Sequence, residues 1–461
     1  MNLEKIIHKI ETETNLPDIK YMNFHVWLAI RKHIYPKLTK GIYKLKSPQG
    51  IKVVKLFLNA FYGFSYWFHR YDYWFISSTT TRKPINGTYR DIFTDHIMEK
   101  LPNSWKIEYT LKQHYPKKLI PYQKVSSMLL LIIVEKFISC LLTNNKKIIE
   151  IENEILKHFK TIKRNEIDIK HSIKKIVGQY HTMKLLLFFK KKPKVLFLVS
   201  AYSYYGYVKA LKEKSVKIVE IQHGVINNSH VGYVIYSNYP NLYFPDYLLS
   251  FGSNEKKILK HPNRFSEVTK IHPTGSYIID YYKNNFKPQK ELSELIKKYE
   301  LSFCVSLQDC EVGFSIIPWI IEIAKNNPKN IFVLKPRETP ISYYKENYNF
   351  PTNTIFNNNL NIYELILHCD YHITAYSTTA LEAPSLGKPN ILFNIENKAM
   401  TYYKIILTQN KSTFYLNSTA EFDKIISKLQ NMSSKEVIEA NANIFKPNYL
   451  KNLYNFLSHN L

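Results

Sequence analysis

The chain has 461 residues, of which 45% are hydrophobic and 15% aromatic. This is enough apolar material for two or three packed domains, and it excludes intrinsic disorder as the overall state. The 64 lysines and arginines outnumber the 37 aspartates and glutamates, which gives a formal net charge of +27. A surface of this sign attracts phosphates, nucleic acids and anionic lipids. No Cys/His finger, RNP-like aromatic strand or heptad zipper occurs, so nucleic acid is not the expected partner.

The N-terminus and the cysteines bear on the compartment. The first 17 residues are interrupted by charged side chains and do not resemble a secretory signal. Cys140, Cys304, Cys310 and Cys369 form no C-x-x-C pair, so neither a disulfide framework nor a zinc ribbon is predicted. We therefore expect a cytoplasmic protein. The basic charge leaves open a peripheral attachment to the inner face of the cytoplasmic membrane.

The first 60 residues are predicted to be helical scaffold. The first 60 have apolar residues at helical spacing, and helical periodicity returns at 122–160 and 169–189. Between them, YDYWFISS at 71–78 predicts a strand and the polar segment after it predicts a loop. The apolar run at 128–142 is shorter than the roughly 20 residues that span a bilayer. It predicts a buried helix, with a helix lying on a membrane as the alternative.

Strands and helices alternate from Val195 onward. VLFLVS and KIVEI, one helix length apart, predict a parallel β-α-β unit, and DYLLSFG and KIHPTG continue it to Gly275. The pattern restarts at Ser302 with SFCVS, NIFVLKPR, DYHIT and PNILFN. We predict an α/β fold with two doubly wound Rossmann-like lobes facing across a cleft, plus extra N-terminal helices. The expected lobes are residues 1–285 and 286–461, and the last helix is allowed to return to the first lobe.

Ligands of open parallel sheets bind beyond the carboxyl ends of the strands, so the residues that follow each predicted strand are the candidate site. In the second lobe, hydroxyls at a helix start and two basic side chains predict a phosphate-binding site. A glutamate one turn into that helix is predicted to bind a ribose diol. The predicted donor-binding residues are Gly275, Ser276, Lys335, Arg337, Ser377, Thr378, Thr379 and Glu382. An ordinary helix cap and a solvated turn are the structural alternatives.

In the first lobe, His223 follows the strand KIVEI on a tight turn. Its imidazole titrates near working pH and is the predicted base for an acceptor hydroxyl. The alternative is a histidine that only shapes the turn. Asp91 and Asp95 are the other candidate bases, because the loop after YDYWFISS should also border the cleft. The predicted acceptor-binding residues are Gln222, Gly224, His230 and Tyr233.

Several of these segments resemble bacterial surface-polysaccharide glycosyltransferases of the two-domain GT-B type, those of capsule and lipopolysaccharide synthesis. The resemblance covers about residues 70–400 and rests on YDYWFISSTTTRKPINGTYRDIF, IEIQHGVI, SHVGY, KIHPTGSY, FVLKPR and DYHITAYSTTALEAPSLGKPNILFN. It implies an acceptor on the first lobe, a nucleotide-activated sugar donor on the second lobe, and a glycan or lipid-linked glycan as acceptor.

The chain is also distantly similar to the polyol-phosphate polymerases of teichoic acid synthesis. It departs from their motifs by having Lys335-Pro336 in place of His-Pro, and Ala375-Tyr376-Ser377-Thr378 in place of Asp-Tyr-Ser-Ser. No Asp-x-Asp metal motif occurs, so no metal or other cofactor is expected. Asp309-Cys310-Glu311 is the nearest approach to such a motif.

Three other functions stay open at this point. They are a polyol-phosphate transferase, a sugar-nucleotide epimerase of the same architecture, and a non-catalytic protein that assembles on a membrane surface. The sequence leaves the donor, the acceptor, the linkage and the stereochemistry undetermined.

Overall fold

A computed structural model gives the fold. It describes residues 3–38, 58–85, 87–110, 124–159, 161–260, 262–308, 314–407, 412–429 and 432–461. The segment Asp309–Glu311, considered above for a metal, lies outside the described residues. Two parallel β-sheets organise the chain, one in each half. The predicted α/β class with two doubly wound Rossmann-like lobes is confirmed.

The first half supplies a seven-stranded sheet and two small hairpins. Its strands are β1 (Lys20–Tyr21), β2 (Phe24–His25), β3 (Tyr73–Ser78), β4 (Arg82–Ile85), β5 (Thr88–Asp91), β6 (Ser104–Tyr109), β7 (Val125–Ser127), β8 (Val195–Val199), β9 (Lys217–Ile221), β10 (Tyr247–Ser250) and β11 (Lys270–Pro273). Its helices are α1 (Leu3–Glu13), α2 (Val26–Leu38), α3 (Asp95–Met98), α4 (Leu129–Leu142), α5 (Asn145–Lys157), α6 (Ile169–Phe189), α7 (Tyr205–Lys212), α8 (Asn254–Ile258), α9 (Arg264–Val268) and α10 (Tyr277–Asn285).

The second half supplies a six-stranded sheet. Its strands are β12 (Ser302–Ser306), β13 (Ile331–Lys335), β14 (Thr354–Phe356), β15 (Tyr371–Thr374), β16 (Asn390–Phe393) and β17 (Thr413–Leu416). Its helices are α11 (Lys290–Ile296), α12 (Ile317–Asn326), α13 (Ile341–Asn347), α14 (Ile362–His368), α15 (Thr379–Ser385), α16 (Lys398–Tyr403), α17 (Phe422–Leu429), α18 (Ser434–Ala440) and α19 (Tyr449–Asn460).

All strands of each large sheet run parallel, in the orders β11-β10-β9-β8-β3-β6-β7 and β14-β13-β12-β15-β16-β17. The central strands are continuous apolar runs because helices cover both faces of each sheet. In β8, Leu196 and Leu198 pack under α6 and α7, while Phe197 packs on the opposite face. On that opposite face Leu453 and Phe456 of α19 join the core of the first sheet, so the last helix contacts the first lobe.

Several strands were not predicted. The polar segment after β3, expected to be a loop, forms the antiparallel hairpin β4–β5, in which Arg82 pairs with Asp91. The segment from Tyr122, predicted to be helical, contains the short strand β7. Strands β6 and β17 also went unrecognised. β7 has only three residues, two of them serines, and that is too short for a period to be read.

The β4–β5 hairpin reaches the other lobe. Ile85 of the hairpin, Ile92 just after it, and Val225 of the β9 loop are buried in one cluster with Leu381 and Tyr403 of the second lobe. Apolar side chains of both lobes therefore share one core at the bottom of the cleft. This contact fixes the hairpin between the two sheets.

Helix α4 corrects the expectation of a buried helix at 128–142. Leu131 and Glu135 face the protein, but Ile133, Phe137 and Leu141 on the opposite side are 47%, 66% and 68% exposed. The helix is therefore buried on one face only. None of the helices in the described part of the chain is long and apolar enough to cross a membrane.

Candidate active site

Loops from the carboxyl ends of both sheets meet between the lobes. Asn227, four residues beyond His223, donates a hydrogen bond from Nδ2 to the backbone oxygen of Tyr402 at 3.2 Å. The hydroxyl of the adjacent Tyr403 donates to the backbone oxygen of Ser377 at 2.5 Å. The loop after β9 and the turn after β15 are thus joined through two neighbouring tyrosines of α16. Both candidate regions border the same interface between the lobes.

His223 is held by a serine that was not among the predicted site residues. The Ser200 hydroxyl lies 3.1 Å from His223 Nε2. Ser200 follows β8 with φ 63° and ψ 59°, a left-handed conformation that costs roughly 1–2 kcal/mol for a residue with a side chain. The sequence carries no mark of this conformation. Burial lowers the pKa of His223 to about 4, so the imidazole is neutral at pH 7 and can accept a proton.

His230 lies next to His223 and is also held neutral. Its ring contacts those of Tyr202 and Tyr233, with centroids 5.5 and 4.7 Å apart. Burial, followed by the charge of His223, lowers the pKa of His230 to about 3. Its Nδ1 accepts a hydrogen bond from the Gly232 backbone at 3.1 Å. Two neutral imidazoles therefore lie near the carboxyl edge of the first sheet, each with its ring near that of Tyr202.

Two predicted acceptor-binding residues have structural roles instead. Gln222 is fully buried, and its amide bonds Gly224, Glu255 and the Phe251 backbone. Because both ends of that amide are occupied, Gln222 is not available to an acceptor. Tyr233 is 1% exposed.

The hydroxyl of Tyr233 donates to Glu220 at 2.9 Å instead of facing the cleft. At Gly224 an added Cβ would meet no atom within 4 Å. The backbone of the β9 turn is therefore open on that side.

Glu220 is a second residue that the sequence reasoning missed. One carboxylate oxygen accepts hydrogen bonds from the Ala201 backbone and the Tyr233 hydroxyl, each at 2.9 Å. The other oxygen is buried and has no hydrogen-bond partner among the described residues. Burial raises the pKa of Glu220 to about 7. The sequence could have indicated Glu220, because a glutamate inside the apolar strand KIVEI is unusual. Its carboxylate stabilises the turn at Ser200 through the bond from the Ala201 backbone.

Three basic side chains from the two lobes lie within electrostatic range of one another, with Lys83 linking Lys335 and Arg337. Lys335 ends β13 and donates to the backbone oxygen of Asn358 at 3.3 Å, and Arg337 follows it. Lys83, on β4 of the first lobe, was not predicted. None of the three forms an ion pair with a carboxylate of the described residues.

The pKa shifts indicate that these cations lie within electrostatic range of one another. Partial desolvation lowers the pKa of Lys83, Glu382 opposes the shift, and the charge of Arg337 adds to it. Desolvation likewise lowers the pKa of Lys335, and the charge of Lys83 contributes to that shift. Cations gathered without paired carboxylates form a site suited to an anion such as a phosphate.

The hydroxyl-rich turn after β15 differs in part from its prediction. Ser377 and Thr378 keep solvent contact, and the Ser377 hydroxyl accepts from the Thr379 backbone at 3.3 Å. Thr379 is 7% exposed, and its hydroxyl is buried with no hydrogen-bond partner among the residues that the structure describes. Helix α15 has seven residues and contains Pro384. So short a helix supplies a weaker dipole than the prediction assumed.

Three other predicted donor-binding residues are packed away from the cleft. Glu382 is buried and accepts a hydrogen bond from the Tyr363 hydroxyl at 3.1 Å, and burial raises its pKa to about 7. It is therefore not displayed to a ribose. Gly275 has φ +98°, and a Cβ there would lie 2.1 Å from the backbone oxygen of Lys446. Gly275 and the buried Ser276 lie beneath the returning C-terminal segment.

The alternative bases Asp91 and Asp95 belong to a buried ion-pair cluster. Each is 1% exposed. The Lys106 ammonium bonds Asp95 and lies 3.2 Å from Asp91. The Arg82 guanidinium donates to Asp95 at 3.2 Å and to both carboxylate oxygens of Glu108 at 2.7 and 2.8 Å. Burial alone would raise the pKa of Asp91, but Lys106 and hydrogen bonds hold it well below its usual range. Neither aspartate can take a proton from an acceptor in the cleft.

In the described ranges, no set of three or more His, Cys, Asp or Glu side chains is arranged to hold a metal ion.

The sequence matches no protein-family model and no curated protein. Solved structures with a similar fold include S. aureus MnaA with UDP (9% identity, 84% of this chain and 96% of that one, TM-score 0.49). Others are the UDP-GlcNAc 2-epimerase of Methanocaldococcus jannaschii in complex with UDP-GlcNAc and UDP (14%, 84% and 99%, 0.48) and the glycosyltransferase SnogD from Streptomyces nogalater (10%, 85% and 100%, 0.45). These structural neighbours include both glycosyltransferases and epimerases.

Proposed function

We propose that the protein is a glycosyltransferase that moves a sugar from a nucleotide-activated donor to a growing surface polysaccharide or a lipid-linked oligosaccharide. The observation that carries the proposal is that Lys83 of the first lobe lies within electrostatic range of Lys335 and Arg337 of the second lobe, with no ion pair between any of the three and a described carboxylate. Ser377 and Thr378, which keep solvent contact on the turn after β15, add hydroxyl donors to the proposed site. The sequence resemblance to polysaccharide glycosyltransferases supports a nucleotide sugar as the source of the phosphates.

In this proposal the cations act mainly on the leaving group. As the bond from sugar to phosphate breaks, negative charge grows on the phosphate oxygens, and fixed cations stabilise it most in that state. Ser377 and Thr378 donate further hydrogen bonds to the same oxygens. His223 removes the proton from the acceptor hydroxyl, and Ser200 fixes the orientation of its ring. The first lobe thereby supplies the base and one phosphate ligand, Lys83.

A nucleotide screen followed by product analysis tests the proposed function. We expect UDP, CDP, GDP or CMP to raise the melting temperature, because a ligand that binds only the folded state stabilises it. The corresponding nucleotide sugar with a glycan acceptor should then yield an elongated glycan by mass spectrometry. An epimerised free nucleotide sugar, or transfer of a polyol phosphate, would replace the proposal with one of those activities. Binding of no nucleotide would favour the non-catalytic alternative.

Removing a cation should weaken nucleotide binding and leave the fold intact. We expect Lys335→Ala and Lys83→Ala each to lower the affinity for the preferred nucleotide by about tenfold to a hundredfold, the usual effect of losing a hydrogen bond to a charged group. Isothermal titration calorimetry measures the change. Lys329→Ala is the matched control, since this second-lobe lysine is 76% exposed and pairs with Glu300. Unchanged affinity in both site variants would show that the nucleotide phosphates do not bind Lys83 and Lys335.

The Ser200 contact predicts a positioning effect on His223. Ser200→Gly removes the hydroxyl while accepting the left-handed backbone, so we expect a small gain in stability and a loss of about tenfold in kcat. Ser200→Asn, which tolerates the same backbone and keeps a hydrogen-bonding group, should restore part of the rate. Equal rates and equal pH profiles in all three forms would show that Ser200 does not orient the imidazole.

A further inference from the structure

One face of the first lobe exposes an unusual amount of apolar surface. Eleven of the eighteen large hydrophobic side chains that are exposed among the described residues lie in three short segments. We call the following set the apolar face: Leu58, Phe61, Phe64, Phe68, Ile133, Phe137, Leu141, Leu142, Leu185, Phe188 and Phe189. Phe188 and Phe189 are 81% and 79% exposed, and Phe68 is 74% exposed. Apolar side chains concentrated in this way mark an interaction site.

Contacts among the three segments place them on one side of the first lobe. The 3-10 turn Phe64–Phe68 lies against β7, where the Ser126 hydroxyl bonds the backbone oxygen of Gly63 at 2.8 Å. Directly after β7 comes α4. At the end of α6, the Lys190 ammonium donates to the backbone oxygens of Trp67 (2.9 Å) and His69, which brings Phe188 and Phe189 to that turn.

Helices α4 and α6 cross in close contact. A Cβ added at Gly178 of α6 would lie only 2.6 Å from the backbone oxygen of Glu135 in α4. On the outer side of α4, Ile133, Phe137 and Leu141 recur every four residues and so form one stripe. The apolar face therefore runs from this stripe across the β7 edge to the end of α6.

The charges around the apolar face are strongly positive. Residues 58–72, 124–142 and 184–194 contain eight lysines and arginines against two carboxylates. Neither carboxylate is free, because Asp72 lies 3.7 Å from the Lys194 ammonium and Glu135 is buried against the Tyr207 hydroxyl. Lys191 and Lys192 follow the buried Lys190 after Phe189 and are exposed. Exposed aromatic side chains with a basic rim complement an anionic lipid surface.

We propose that the apolar face docks this protein on an anionic lipid bilayer, with the phenylalanines in the interface and the lysines facing lipid phosphates. A second copy of the chain fits the face less well, because a symmetric contact would bring two basic rims together. The proposal goes beyond sugar transfer, because docking requires neither a donor nor turnover. It also names one surface, so single substitutions can test it.

Flotation with vesicles tests the docking surface on the full chain. We expect the protein to float with vesicles of phosphatidylcholine plus phosphatidylglycerol, and less with phosphatidylcholine alone. The variant Phe188→Ser/Phe189→Ser should bind the anionic vesicles at least about tenfold more weakly. Its fold should be intact because both side chains are largely exposed, which a thermal melt checks. Leu450→Ser/Tyr454→Ser is the matched control, since it removes two exposed side chains from α19 (42% and 37% exposed).

A charge variant separates the lysines from the aromatic side chains. Lys191→Glu/Lys192→Glu should weaken binding to the anionic vesicles and leave binding to phosphatidylcholine nearly unchanged. Equal flotation of wild type and both face variants would overturn the proposal. So would a wild-type dimer that the phenylalanine variant converts to monomer with no lipid binding by either form, because the occupant would then be a second copy. Sedimentation velocity on the same samples distinguishes that case.

Discussion

Replacing His223 by alanine is expected to lower kcat by about 10²–10⁴-fold, the range for loss of a general base. Donor affinity should stay unchanged, because the three cations of the phosphate site lie on other elements. The ring lies 3.1 Å from the Ser200 hydroxyl and 6.5 Å from the rings of Phe93 and Tyr202, so a thermal melt checks that the variant keeps its fold. Steady-state rates with the donor found in the screen, together with calorimetric titration of the nucleotide, measure the two effects separately.

The pKa of His223 determines how kcat/KM should depend on pH. A base acts in its unprotonated form, and burial holds the pKa of His223 at about 4. The value of kcat/KM should therefore stay level from neutral pH down to about one unit above that pKa, and fall in more acidic solution as the imidazole gains a proton. A histidine at its ordinary pKa would lose activity near pH 6.5 instead. A variant as active as wild type would assign the base to another group.

The parts of the fold that could be predicted are those in which one strand is one apolar run. All five residues of Val195–Val199 are buried, because a central parallel strand is covered on both faces. Such an apolar run predicts a strand without knowledge of the neighbouring strands. The helical spacing of apolar residues likewise predicted the helix Ile169–Phe189. The ends of strands follow from the strands themselves, so His223, Lys335 and Ser377 could be predicted as residues at or just after the carboxyl ends of parallel strands.

The remaining site depended on contacts with distant segments. Gly275 follows a strand end, yet Lys446 covers it. Gln222 also follows a strand end, yet Glu255 and Phe251 take its amide. A local sequence pattern cannot predict contacts with residues 29 to 171 positions away. Lys83 was missed for the opposite reason. In the sequence it is one lysine in a polar segment, and only the folded hairpin brings it within electrostatic range of Glu382 and Arg337 of the second lobe.

That hairpin depends on the buried ion-pair cluster, and Lys106→Met is the substitution that tests it. Lys106 is fully buried in β6, and its ammonium lies between Asp91 and Asp95. Methionine fits the space but leaves two buried carboxylates without that cation, so we expect a loss of about 3–5 kcal/mol in the free energy of unfolding. Urea denaturation followed by circular dichroism measures it. Arg90→Met is the control, because its ion pair with Glu99 is partly exposed and is worth about 1 kcal/mol or less.

Acid and ligand binding report on the same cluster. The pKa of Asp91 is lowered in the folded state, so its contribution to stability is complete above its unfolded pKa of about 4 and is lost as pH falls toward the folded value. Wild type should therefore lose stability below about pH 4, and Lys106→Met should lose less over that range. Because Arg82 and Asp91 pair across the hairpin that carries Lys83, the variant should also bind nucleotide more weakly while still folded. A stable variant with unchanged nucleotide affinity would show that the cluster neither supports the fold nor positions Lys83.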